Sequence, residues 1–215
     1  MAKGRIIFLN GTSSAGKTTL AHALQERLPE PWLHVALDQF RDGLPARFRG
    51  LNSPVGTTGE RGLNVVPVTE GERRHTEIRF GETGERMLRG MRRAIAALVE
   101  EGNNVIIDDI LLSPAFLDDY LDVFRDITVY FVGVRCPAEE IGRRERIRPG
   151  RFPGTAIGHL RICHAHGIYD VEVDTSAYLP NECADEVARF VHTSQPGAFA
   201  KLAARRTGQQ QMIQQ

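Results

Sequence analysis

Gly11-Thr12-Ser13-Ser14-Ala15-Gly16-Lys17-Thr18 fits the pattern G-x-x-x-x-G-K-[ST]. Before it stands an apolar run, Ile6-Ile7-Phe8-Leu9, and after it Leu20, Ala23, Leu24 and Leu28 recur at helical spacing. A strand running into a glycine-rich turn that opens a helix is the context in which this pattern binds phosphate. Its glycines let the backbone curl so that successive N–H groups point inward, and the helix N-terminus adds positive partial charge. Lys17 is placed to reach the β- and γ-phosphates of a nucleotide, and the Thr18 hydroxyl to meet Mg²⁺. Gly11, Thr12, Ser13, Ser14, Ala15, Gly16, Lys17, Thr18 and the adjoining Thr19 are therefore the expected nucleotide-binding residues, with ATP and Mg²⁺ as the expected cofactors.

Working outward, further apolar runs occur at Leu33–Leu37, Val105–Ile107, Ile127–Val134 and Val171–Val173, and Met87, Leu88, Met91, Ile95 and Leu98 keep one helical face apolar. Strands alternating with helices predict an α/β fold with a five-stranded parallel sheet covered on both faces. Residues 50–71, with five glycines, two prolines and an alternating run at Leu63–Val68, read as an insertion near the substrate site, in hairpin form. Arg148–Gly158 reads as a mobile loop between helices, and the Gln-rich residues 207–215 as a flexible tail. No internal repeat or boundary divides residues 1–206, which are expected to form one domain.

The second apolar run is followed by Asp38, 21 residues after Lys17. If that strand lies parallel to and beside the first, Asp38 shares the sheet edge with the phosphate loop. There it can accept the proton of an attacking hydroxyl or hold Mg²⁺; its other role, compatible with these, is as cap of a helix beginning at Gln39. Asp108 and Asp109 close the third strand; Asp108 is assigned to metal and Asp109 to the substrate side, the other reading of either being a solvated loop carboxylate. Of the 27 basic residues only three are lysines, and residues 135–151 carry six arginines against three glutamates. This stretch reads either as a solvated, salt-bridged helix face or as a lid over residues 143–158, in which Arg144 and Arg148 meet the charge that builds up on a transferring phosphoryl group. His159, His164 and His166 lack clear acidic or thiol partners at ligand spacing and are read as helix-surface or core residues.

Composition bounds the partners. The chain has 215 residues, 41% hydrophobic, and its 27 basic and 27 acidic residues cancel. It has no whole-molecule field to hold a polyanion and no apolar run of membrane-spanning length, so neither nucleic acid nor membrane is expected as a partner. The three cysteines, odd in number and far apart, fit free thiols in a reducing, cytoplasmic setting. The expected partner is a small molecule bearing a hydroxyl group, and a homo-oligomer is compatible with the sequence.

Several stretches resemble the chloramphenicol phosphotransferase family. They are Asn10–Thr18, Leu28-Pro29-Glu30-Pro31-Trp32-Leu33, Asp38, Ile106-Ile107-Asp108-Asp109, Val132-Gly133-Val134-Arg135-Cys136 and His166–Thr175, within a span from Arg5 to Val191. The Pro-Glu-Pro-Trp turn and the Tyr-Asp-Val-Glu-Val-Asp-Thr strand are its most specific parts. The resemblance implies a P-loop kinase fold that moves the γ-phosphate of ATP onto a primary hydroxyl of the antibiotic. It also implies Asp38 as general base, Lys17 in the phosphate loop, and Arg144, Arg148 and Arg151 as lid arginines. Readings that the residues leave open are a kinase of a nucleoside or other metabolite, and a nucleotide-dependent switch.

Overall fold

The computed structural model describes residues 2–71, 73–147 and 154–213. The first strand, β1 (Ile6–Asn10), is wholly buried and runs through the glycine turn into α1 (Lys17–Arg27). The edge strand β2 (Trp32–Ala36) follows, then α2 (Leu37–Gly43). Next come β3 (Arg49–Leu51), α3 (Thr58–Arg61), and a hairpin of β4 (Leu63–Glu70) and β5 (Arg73–Phe80). The chain continues with α4 (Glu82–Glu100), β6 (Asn104–Asp109), α5 (Pro114–Val123) and β7 (Val129–Arg135). It ends with α6 (Ala138–Ile147), α7 (Thr155–Leu160), β8 (Val171–Asp174), α8 (Pro180–Thr193) and α9 (Ala198–Ile213).

The five expected strands form one parallel sheet in the order β2-β6-β1-β7-β8. One expectation changes: β2 pairs with β6, so it lies at the sheet edge and one strand removed from β1. The carboxyl ends still share one edge, because every strand points the same way.

The two faces are separated by side-chain parity. Ile7, Leu9, Ile106, Val132 and Val134 face α1 and α8, where Leu20, Leu24, Ala184 and Val187 meet them. Ile6, Phe8, Val105, Ile107 and Phe131 face α4, α5 and α9. On α4 the buried Leu88, Met91, Ile95 and Val99 recur every three or four residues, and each contributes roughly 1.5–3 kcal/mol on burial. Parity also separates the neighbouring aspartates of β6. Asp108 follows Ile106 toward α1, whereas Asp109 follows Val105 and Ile107 toward α4 and α5.

The insertion is a second, three-stranded sheet, β3-β4-β5, with β4 and β5 paired from Leu63 with Phe80 to Glu70 with Arg73 around the left-handed turn at Gly71. It reaches nine residues past the expected limit of 71. The charged run Arg73-Arg74-His75-Thr76-Glu77 carries little apolar alternation, so β5 is drawn into the sheet by its partner β4. Residues 154–158 also differ from expectation: Gly154, left-handed, caps α7 in place of a loop. Both Gly154 N–H (2.7 Å) and Ala156 N–H (2.9 Å) donate to the buried Glu145 carboxylate, which serves the open helix start. At the chain end, α9 carries on through Ile213, so residues 207–213 are helical where a tail is expected.

Candidate active site

The phosphate loop is held open by its own backbone. Ser14 (φ 61°) and Gly16 (φ 92°) are left-handed, and Ala15 N–H donates to the Thr12 carbonyl at 3.3 Å. Gly11 admits no side chain, since a Cβ there would lie 2.5 Å from the Val134 carbonyl oxygen. The start of α1 has no side-chain cap, so its first N–H groups face the loop's interior. Lys17, 7% exposed, donates from Nζ to the carbonyls of Gly11 (2.9 Å) and Thr12 (3.0 Å). The Ser14 Oγ is buried without a partner. A cradle with left-handed turns, an uncapped helix start, a buried ammonium and an orphan hydroxyl fits a polyphosphate.

Beside it the Thr18 hydroxyl donates to Asp108 Oδ2 at 2.6 Å, and Lys17 Nζ lies 3.6 Å from Asp108 Oδ1. Burial works to raise the Asp108 carboxyl, but Lys17, His34 and Thr18 together outweigh it and hold it down at about 2. A hydroxyl and an ionised carboxylate side by side are a hard oxygen pair suited to Mg²⁺. Asp109 is elsewhere. Fully buried, it accepts from Tyr120 Oη (2.5 Å) and Ile110 N–H (2.6 Å), and burial pushes its carboxyl up against these bonds and the nearby Arg92 charge. Burial and the Asp109 charge raise the Tyr120 phenol in turn. Its assignment to the substrate side is corrected by the parity of β6, which turns it into the core.

Asp38 sits at the second position of α2, behind an N-cap at Ala36, and so is neither the last residue of a strand nor the helix cap. The α2 start is served instead by Gln39, whose Oε1 accepts from Ala36 N–H at 2.9 Å. Asp38 Oδ1 accepts from Arg41 Nη1 at 2.8 Å, and the half-exposed carboxylate lines the cleft. That cleft, about 980 Å³, brings Asp38 together with Ser13, Ser14, Gly16, Lys17, Thr18 and Thr19 of the loop and with Asp108 and Arg144. Gly11, Thr12 and Ala15 lie buried behind it, and the Thr12 hydroxyl donates to the Ala156 carbonyl of α7.

Of the arginine-rich stretch, Arg144 faces the cleft. Its Nε donates to Glu140 (2.7 Å), whose carboxyl Arg143 and Arg144 together pull down to about 2. Arg135 pairs with Glu172 and Arg143 with Glu140, both outside the cleft lining. Arg148 and Arg151 fall outside the described residues. The three histidines pack as expected: His159 Nε2 accepts from Ile78 N–H (3.1 Å), while His164 and His166 meet the Tyr169 hydroxyl at 2.5 and 3.1 Å. Cys136, Cys163 and Cys183 are buried and unpaired. Among the described residues no helix is long and apolar enough to cross a membrane.

Two cleft residues escape sequence reasoning. His34, on the α1 face of β2, places its buried and unpartnered Nε2 3.7 Å from Asp108 Oδ2. The signal for it is its place two residues before Ala36, which shares the register of Asp108. Thr175 follows β8, and its hydroxyl donates to the Ala15 carbonyl at 2.7 Å.

A parallel sheet with a phosphate loop after its central strand, an aspartate closing the adjacent strand and an arginine on a covering helix defines the P-loop kinase class. The chain belongs to the chloramphenicol phosphotransferase-like protein family, whose model matches residues 4–192. It is 36% identical over 216 residues to proteins from two strains of Mycobacterium tuberculosis, provisionally named O-phosphotransferases, across 95% of this chain and 90% of theirs. Among solved structures it is similar to a sugar kinase from Janibacter, with TM-score 0.58, 19% identity and coverage of 88% of this chain and 95% of that one. It is equally similar to the APS kinase of Mycobacterium tuberculosis solved with AMPPNP and APS, with TM-score 0.58, 16% identity and coverage of 90% and 100%. The structural likenesses show the fold; together with the family they make the protein a kinase-type phosphotransferase.

Proposed function

We propose that the protein transfers the γ-phosphoryl group of ATP to a hydroxyl of a small molecule, and that chloramphenicol is the first acceptor to try. One observation carries this reading: a possible proton acceptor, Asp38, and the polyphosphate cradle open onto the same cleft. When bound, MgATP supplies the phosphoryl group and a metal that screens its charge. Lys17 holds the polyphosphate in place of the two carbonyls it now satisfies. Thr18 and Asp108 present oxygens to the metal. Asp38 takes the proton of the acceptor hydroxyl, and its pairing with Arg41 orients it. Arg144, and Arg148 from the segment beyond α6, neutralise charge on the transferring group. Modification of an antibiotic hydroxyl in this way would confer resistance, and three buried thiols suit work in the reducing cytoplasm.

The test is ADP release from purified protein with MgATP across a panel of hydroxylated antibiotics, nucleosides and sugars. Release that requires one acceptor, with a phosphorylated product seen by mass spectrometry, is expected. Slow release indifferent to every acceptor would replace the kinase reading with that of a nucleotide-dependent switch.

A further inference from the structure

Thr175 joins three elements that the reaction needs in register. Its N–H donates to the Arg135 carbonyl (3.1 Å), extending the β7–β8 ladder by one step. Its hydroxyl has a single proton. The Ala15 carbonyl at 2.7 Å takes it, since the Arg135 carbonyl stands farther away at 3.3 Å. The same oxygen accepts from Arg144 Nη1 at 3.0 Å, and the Thr175 carbonyl accepts from Arg144 Nη2 at 2.7 Å. Arg144 is thereby held as a fork, with Glu140 fixing Nε from the other side. A planar trans peptide fixes the N–H once its carbonyl is fixed, so the bond to Ala15 also sets the direction of the Gly16 N–H. At Gly16, the left-handed hinge of the loop, a Cβ would touch the Thr175 side chain at 3.4 Å. Both Thr175 and Arg144 line the cleft.

We propose that Thr175 is a positioning residue. Its hydroxyl couples the Ala15–Gly16 peptide of the phosphate loop to Arg144, so that loop and lid arginine are set as one unit toward the polyphosphate. This rests on the nucleotide reading above. The second observation behind it is chemical: a valine would fill the same space and keep the backbone contacts, but would break both side-chain links at once.

The experiment is a double-mutant cycle on equilibrium binding of a non-hydrolysable ATP analogue, by calorimetry, which needs no acceptor. Thr175→Val is expected to weaken binding by about 10-fold or more, of the order lost when a positioned group is let go. Thr175→Ser keeps the hydroxyl and is expected to stay within about 3-fold of wild type. In an Arg144→Ala background, Thr175→Val should cost less than it does in the wild-type protein, because one of the two partners of its hydroxyl is gone. Losses that multiply would overturn the coupling, as would Thr175→Ser behaving like Thr175→Val. If Thr175→Val does not fold, Arg144→Lys probes the link from the other end: it keeps the charge but not the fork, and wild-type affinity in that variant would overturn the proposal. Failure of the wild-type protein itself to bind the analogue would remove the nucleotide reading and this one together, whereas binding with multiplying losses removes only this one.

Discussion

Asp38→Asn separates a catalytic carboxylate from an ornamental one by magnitude. The substitution keeps shape and removes the ability to take a proton. Its structural penalty is small and can be worked from the geometry. The Arg41 pair is an i,i+3 contact with the carboxylate 41% exposed, worth roughly 0.3–0.5 kcal/mol. The negative charge in the first turn of α2 adds roughly 0.3–1 kcal/mol. These two contributions amount to about 0.6–1.5 kcal/mol, and at about 2–4 °C per kcal/mol for a chain of this size they should lower the melting midpoint by about 1–6 °C. Loss of general-base catalysis, by contrast, slows transfer by about 10²- to 10⁴-fold. That is about 2.7–5.5 kcal/mol in the barrier, beyond anything the lost pair explains. The assay measures ATP affinity, Mg²⁺ dependence and acceptor-dependent ADP release on this one variant, with its melting curve. Unchanged ATP affinity, a small melting shift and a large loss of turnover are expected. Retained turnover at unaltered Mg²⁺ dependence would refute the role of Asp38, and a modest loss with weakened Mg²⁺ dependence would make it a metal residue.

Lys17→Ala should abolish transfer, by at least about 10²-fold in kcat, since the charge between the β- and γ-phosphates is lost; a folded, fully active variant would sink the phosphate-loop assignment. Asp109→Asn should do the opposite. It leaves the cleft intact, but the two carboxylate oxygens that accept from Tyr120 Oη and Ile110 N–H become one carbonyl and one amide NH₂, so a buried donor loses its acceptor; stability should fall by about 1–3 kcal/mol and the melting midpoint by about 2–12 °C, seen by calorimetry. Stability should also fall with acid. Burial lowers His159 from its ordinary 6.5 to about 4, so between these values the unfolded chain binds the extra proton and the folded one does not. The stability present above pH 6.5 is therefore lost as pH falls toward 4, by on the order of 3 kcal/mol for this residue. His164 and His166, also lowered to about 4, act in the same direction. Urea unfolding at pH 7.5 and 5 measures the sum, and a flat profile would contradict their neutral burial.

How far the sequence carries depends on whether a residue's neighbours are local. Gly11–Thr18 is legible because strand, turn and helix are consecutive, and the same local rule exposes the five strands and the face of α4. Strand order is not local. Whether β2 lies beside β1 or beside β6 depends on which pairing buries more apolar surface, and both satisfy a run of five residues ending before an aspartate. The β5 strand is invisible for a related reason, since Arg73, Arg74, His75 and Glu77 take their conformation from β4 across the hairpin.

The aspartate pair shows what kind of information is missing. Asp108 and Asp109 are adjacent, chemically identical and both follow an apolar strand, yet one is ionised against Lys17 and the other is driven toward neutrality beside Tyr120. Pleat parity alone says that they face opposite ways, and Ile106 tells which way Asp108 goes once α1 is known to cover that face. The parity of β6 is thus legible in the sequence, but the face that carries α1 is not, because it depends on the hand of the crossover and on β1 lying at the centre. By the same logic His34 and Ala36 share the face of Asp108, and both line the cleft beside it. Asp38 continues that series in number but not in geometry. The chain has already turned into α2, and it is the helix start, with Gln39 closing back on Ala36, that carries the carboxylate to the mouth of the cleft.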